Sequence, residues 1–175
     1  MRGTAKLAAV PPLILALLAL FAANARAHVP QGMWLMPSKA VLQIFDCGGL
    51  LCGRIVWLER PRNRFGDLIR DVENPDPALR RRALCGQTIL WGLRPAGPDR
   101  WEGGALYNPD DGRTYRVNAE LRTADRFVAR IYLGVPLLGE NRTLSRVSRL
   151  GSDASCESNG SEAANWSGRA ADARQ

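Results

Sequence analysis

The chain has 175 residues, of which 46% are hydrophobic and 23% are charged. This composition is that of a globular protein and excludes a disordered, collagen-like or polytopic membrane protein. The formal net charge is +7, and a single histidine excludes a multi-histidine metal site. A Ser-His-Asp triad is disfavoured because this histidine, His28, lies near the N-terminus and no G-x-S-x-G motif occurs.

The first 27 residues have the three parts of a secretory signal peptide. Two basic residues, Arg2 and Lys6, precede an apolar run over 7–23, and Ala25-Arg26-Ala27 supplies small residues at the positions that signal peptidase reads. We therefore predict cleavage after Ala27, no transmembrane anchor in the processed chain, and a periplasmic or secreted location. The processed chain would carry a net charge of +4, because three basic residues lie in the leader.

The body, 28–150, consists of short strand-like stretches separated by turns. The stretches are rich in β-branched and aromatic residues, and none has a sustained helical period; they cover 41–45, 53–58, 88–93, 104–107, 114–121, 127–133 and 142–147. One short helix is predicted over 77–83, where Asp76 is the cap and Pro77 occupies the first turn. Seven to eight strands joined mostly by hairpins predict an all-β fold, in which one antiparallel sheet closes into a small barrel or half-barrel.

After residue 150 the composition changes. The segment 151–175 is rich in Ser, Ala, Asn, Asp and Gly, with little apolar content beyond Trp166. We predict that it is a disordered polar tail that follows a single domain.

Six runs of the body together resemble one bacterial family. They are CGGLLCGRIVWL at 47–58, DVENPD at 71–76, RALCG at 82–86, WEGGALYNP at 101–109, DGRTY at 111–115 and GVPLLG at 134–139. In this order they resemble the exported family catalogued as domain of unknown function 2147 (DUF2147). The resemblance implies a barrel-like domain of the cell envelope, lipocalin-like in outline, and brings no established activity. The sequence departs from the family pattern at Asn108, Ile131 and Leu144, where aspartate, glycine and tryptophan are usual.

The four cysteines predict disulfides, because an exported chain meets an oxidising compartment. Cys47 and Cys52 flank a Gly-Gly turn, and a hairpin there favours their pairing. Cys85 is then either free or joined to Cys156, while a Cys47–Cys85 link remains the alternative. A zinc cluster is disfavoured because no histidine completes it, and no metal or other cofactor is predicted.

Carboxylates occur in two groups whose spacing indicates structural roles. The segment 67–76 carries four acidic residues and Asn74, but it lacks the spacing of a calcium-binding loop, and Asn74-Pro75-Asp76 is typical of a turn and helix cap. Asp110 and Asp111 lie on a hairpin turn and point apart, unlike the paired acids of a glycosidase. A carboxylate-dependent hydrolase is therefore the least favoured reading, and no catalytic residue is assigned.

Two binding hypotheses remain for the body. Aromatic residues on or beside the strands either pack the core or line an interior pocket for a small apolar or lipid-like ligand; the candidates are Trp57, Trp91, Trp101, Tyr107, Tyr115 and Tyr132. Alternatively, the arginine run 80–82 belongs to a basic face that meets an envelope protein or an anionic surface. Nucleic acid is not an expected partner of an exported chain.

Overall fold

The structure, a computed structural model, describes residues 30–150 and Cys156. Eight antiparallel strands form a closed barrel, which confirms the all-β prediction. The strands are β1 (Gly32–Leu35), β2 (Ala40–Asp46), β3 (Leu51–Leu58), β4 (Thr88–Pro95), β5 (Arg100–Asn108), β6 (Arg113–Thr123), β7 (Arg126–Tyr132) and β8 (Glu140–Val147). The predicted leader and the predicted tail, except Cys156, lie outside the described residues.

Closure of the barrel depends on its shortest strand. β1 pairs with β2 through Trp34 and Leu42, and with β8 through Trp34 and Arg146. Every strand therefore has two neighbours, and no sheet edge is left open to pair with another chain.

The up-and-down order gives the barrel two different ends. The connections β1–β2, β3–β4, β5–β6 and β7–β8 lie at one end, which we call the open end. The β2–β3, β4–β5 and β6–β7 turns lie at the other, the closed end. Large aromatic side chains fill the closed end: Trp34, Trp101 and Phe127 are almost fully buried, and the Phe127 ring centre lies 5.5 Å from that of Trp34 and 6.1 Å from that of Trp101.

Arg146 completes the packing of the closed end. Its guanidinium carbon lies 4.3 Å from the centre of the Trp34 ring, and its nitrogens donate to the carbonyl oxygens of Gln31 and Ala124 at 2.8 and 2.6 Å. The arginine thus links the N-terminal strand to the β6–β7 turn across the bottom of the barrel.

The longest connection, 59–87, joins β3 to β4 at the open end and packs against β5. The carboxylate of Asp71 is fully buried, where it accepts hydrogen bonds from the Tyr107 hydroxyl at 2.6 Å and the Asn74 amide at 2.7 Å, and pairs with the Arg82 guanidinium at 2.9 Å. The helix predicted over 77–83 is only a 3₁₀ turn, Pro77–Leu79, because the chain leaves the helical path after one turn; its predicted cap, Asp76, accepts from the Ala78 amide.

Two disulfide bonds cross-link the chain. Cys47 pairs with Cys52 across the β2–β3 turn, as hairpin geometry predicted, and Cys85 pairs with Cys156. The second bond places residue 156 of the predicted tail beside the β3–β4 connection. No helix within 30–150 is long and apolar enough to cross a membrane.

Candidate functional site

A cavity of about 890 Å³ occupies the barrel interior and reaches the open end. Its apolar wall is formed by strand residues that point inward and, apart from Phe127, are aliphatic. The side chains of this wall include Leu42, Ile55, Leu90, Leu106, Val117, Phe127, Ala129, Ile131 and Leu144. A cavity of this size and lining falls within the range of small-molecule sites in proteins.

The cavity mouth carries polar groups that are already paired with one another. Arg142 and Glu140 lie on the inward-facing row of β8 and form an ion pair at 2.9 Å. Across the opening, the Tyr115 hydroxyl donates to the Asp111 carboxylate at 2.5 Å. This hydrogen bond lowers the pKa of Asp111 and raises the pKa of Tyr115. The cavity thus combines an apolar wall with a polar mouth whose charged groups are paired with one another.

Three of the six aromatic candidates border the cavity, and the other three lie elsewhere in the barrel. Tyr107, Tyr115 and Tyr132 border the cavity, whereas the three tryptophans are not among its lining residues. Trp101 is packed at the closed end, and Trp57 is half-buried with its indole nitrogen unpaired among the described residues. Trp91 is half-buried on β4.

Tyr107 lies beside the cavity but its hydroxyl is committed to Asp71. Burial and, after it, this hydrogen bond raise the pKa of Tyr107 to about 12. The phenol therefore stays neutral at physiological pH and serves to hold the β3–β4 connection.

The sequence predicts aromatic side chains as the candidates, whereas most of the apolar lining residues are aliphatic. Inward alternation was the available signal: Leu42 and Ile44 on β2, and Val117 and Ala119 on β6, are buried and stand two residues apart. Reading these rows would have identified the interior face of the barrel. It would not have shown whether that interior was hollow.

The other charged groups singled out from the sequence have structural partners. Arg82 pairs with Asp71, and Arg80 donates to the backbone carbonyl of Asn74 at 2.7 Å, so two arginines of the run 80–82 hold their own connection. Asp110 and Asp111 follow one another on the β5–β6 turn, as predicted. No three metal-binding side chains come together within 30–150.

The comparison with protein families matches residues 32–146, which include all eight strands apart from the last residue of β8. The matching family is described as an uncharacterized protein conserved in bacteria, DUF2147. The chain belongs to this family. Asn108, Ile131 and Leu144, where the sequence resemblance implies a departure from the family pattern, all line the cavity.

A solved structure shares the fold of this DUF2147 member. It is the protein HP1028 from Helicobacter pylori, described as belonging to the lipocalin family, and it is 23% identical with a TM-score of 0.59. The match covers 67% of the present chain and 82% of the other. This likeness concerns the fold alone. No curated protein matches the chain.

Proposed function

We propose that the protein is an exported, non-enzymatic binding protein that holds a small apolar or lipid-like molecule inside its barrel. The observation that carries this proposal is the 890 Å³ cavity with an aliphatic wall and an opening at one end. Transfer of apolar surface from water to such a wall is favourable by about 25 cal/mol per Å². Binding therefore needs no catalytic group, and the paired charges at the mouth favour a ligand with one polar end.

The proposed location is the periplasm or the extracellular space, with the leader removed after Ala27. Two disulfides among the described cysteines fit an oxidising compartment. Protein recovered from the envelope fraction should begin at His28 when its N-terminus is sequenced. Recovery of the full-length chain from the membrane fraction would contradict the cleavage site.

Displacement of a fluorescent apolar probe tests the ligand site. N-phenyl-1-naphthylamine should bind the purified protein with saturable fluorescence enhancement, and a long-chain fatty alcohol should displace it. Ala129 is 8% exposed and lines the cavity, so Ala129→Phe projects a ring into the space the probe would occupy. We expect this variant to bind the probe at least about tenfold more weakly, a loss of roughly 1.4 kcal/mol.

The matched control is Ala105→Phe, which adds the same ring on β5 at a position that is not among the lining residues. This variant should bind the probe as the unmodified protein does. Equal affinity of all three proteins, or no saturable binding by the unmodified protein, would refute the ligand site. Native mass spectrometry of envelope-purified protein would identify a natural ligand as added mass.

A further inference from the structure

A short connection at the open end holds four large apolar side chains out to solvent. The β7–β8 connection, residues 133–139, is called here the leucine turn. Its side chains are 55% exposed at Leu133, 54% at Val135, 83% at Leu137 and 80% at Leu138. Contiguous exposed apolar surface of this kind marks an interaction site.

Hydrogen bonds fix the backbone of the leucine turn. Arg130 donates from its guanidinium to the carbonyl oxygens of Pro136 at 2.7 Å and Leu137 at 2.9 Å. The 3₁₀ turn Pro136–Leu138 adds a hydrogen bond from the Leu138 amide to the Val135 carbonyl. The backbone is therefore held in a shape that presents the leucines outward.

A second projection lies at the same end. The residues 60–69, called here the arginine hairpin, are closed by a bridge between Arg62 and Leu68 and by the Asn63 side chain, which accepts from the Phe65 amide at 2.9 Å. Phe65 at its tip is 74% exposed, with the Arg64 guanidinium carbon 4.7 Å from its ring centre.

The arginine hairpin has a basic balance. It carries Arg60, Arg62 and Arg64 against a single acidic residue, Asp67. The neighbouring Glu59 is paired with Lys39 at 2.9 Å. An exposed aromatic side chain among basic ones suits the interface between the headgroups and acyl chains of anionic lipids.

Both projections border the cavity mouth. Leu133 and Leu138 of the leucine turn line the opening, as do Arg60 and Ile69 at the base of the arginine hairpin. Of the seven large apolar side chains exposed in the described chain, five belong to the leucine turn and the arginine hairpin. We infer that the open end docks on a lipid bilayer containing anionic lipids, through the leucine turn and the tip of the arginine hairpin.

A bilayer fits these features better than a protein partner does. Two projections flank an opening and form no single flat patch, and a soft surface can receive both while bringing lipid to the mouth. Asp110 and Asp111 on the β5–β6 turn, which also line the mouth, oppose close contact with anionic headgroups. We therefore assign the contact to the β3–β4 and β7–β8 connections, which carry the exposed apolar side chains of the two projections. This inference goes beyond the proposed ligand site, and its test uses no cavity ligand.

Vesicle flotation tests the docking surface. The processed protein is mixed with vesicles of phosphatidylethanolamine and a minor fraction of phosphatidylglycerol, and in parallel with pure phosphatidylcholine vesicles. Leu137→Ser should lower the partition coefficient at least about tenfold on both kinds of vesicle, because it removes a leucine side chain that docking would bury in the bilayer. Arg64→Gln should lower it about fivefold on the anionic vesicles only.

Leu35→Ser is the control, since Leu35 and Val72 are the two exposed large apolar residues of the described chain outside the leucine turn and the arginine hairpin. It should float as the unmodified protein does, and Val135→Ser should behave as Leu137→Ser. Failure of the unmodified protein to float would overturn the inference, and so would equal flotation of the Leu137 and Leu35 variants. If the unmodified protein did not float but formed concentration-dependent dimers, and Leu137→Ser abolished those dimers, the surface would instead be an interface with a second copy of this chain. Naphthylamine binding by the same samples without vesicles reports separately on the cavity.

Discussion

Replacing Asp71 by asparagine tests whether one buried carboxylate holds the β3–β4 connection against the barrel. Asp71 is fully buried and accepts from the Tyr107 hydroxyl, the Asn74 amide and the Arg82 guanidinium. Asparagine keeps the size of the side chain but removes its charge. It also replaces one carboxylate oxygen by an NH2 group, which cannot accept the hydrogen bonds that Tyr107, Asn74 and Arg82 donate. A hydrogen bond to a charged group contributes about 1.5–3 kcal/mol, so we expect Asp71→Asn to lower the free energy of unfolding by about 2–4 kcal/mol.

Urea unfolding followed by tryptophan fluorescence measures this loss. The midpoint should fall while the slope stays unchanged, since the surface exposed on unfolding is the same. Asp67→Asn is the control, because this exposed carboxylate belongs to the same connection and its loss should change the stability by less than about 0.5 kcal/mol. Equal midpoints for the two variants would refute the reasoning.

The same network makes an alkaline prediction. The pKa of Tyr107 is about 12 in the folded protein and about 10 in an unfolded chain, so folding favours the neutral phenol. Its contribution, up to about 3 kcal/mol, is therefore fully present below pH 10 and is lost as the pH rises toward 12. Tyr107→Phe should flatten this part of the stability profile. An unchanged alkaline slope in that variant would show that another group is responsible.

Two further predictions concern the closed end and the disulfides. Arg146→Gln should lower the free energy of unfolding by about 2 kcal/mol, because it removes the contact with Trp34 and hydrogen bonds to two carbonyls. The control is Arg122→Gln, at an exposed ion pair, which should lower it by less than about 1 kcal/mol. Equal urea midpoints for the two variants would contradict the role of Arg146 in packing the closed end. Replacing both cysteines of the Cys85–Cys156 bond by serine should destabilise by about 4 kcal/mol and the same change at Cys47–Cys52 by about 2 kcal/mol, since the loops span 71 and 5 positions. The reverse order in urea unfolding would contradict the loop-entropy argument.

Much of the fold could be predicted from the sequence because its strands carry local signals. Seven predicted stretches overlap β2 to β8, and the turn at 110–112 joins β5 to β6. β1 was not recognised as a strand, since its four residues are too few to show alternation. Yet this strand closes the barrel, because it pairs with β2 on one side and with β8, more than 100 positions away, on the other. Closure is a tertiary property that no local pattern reports.

The partners of buried polar groups were harder to predict than the strands. The sequence pattern predicts structural roles in a turn for Asn74 and the acidic residues around it. Tyr107 stands 36 positions away from Asp71, on a strand whose alternation gives no reason to join them. Only the path of the β3–β4 connection against β5 brings the two side chains together. Like barrel closure, this long-range pairing is a tertiary contact, so no local sequence pattern predicts it.

The hollow interior follows from the order of side-chain sizes along the inward rows. An eight-stranded barrel has an interior just wide enough for side chains to fill or for one small ligand. Toward the closed end the inward positions hold Trp34, Trp101 and Phe127, and at Gly104 an added Cβ would lie only 2.6 Å from the Leu93 side chain. Toward the open end they include smaller side chains on three strands, Ala40, Val117 and Ala129. Because backbone pairing fixes the radius, small side chains there cannot draw the walls together. The cavity therefore lies on the open-end side of the aromatic side chains, and enlarging a small lining residue, as in Ala129→Phe, is the direct way to fill it.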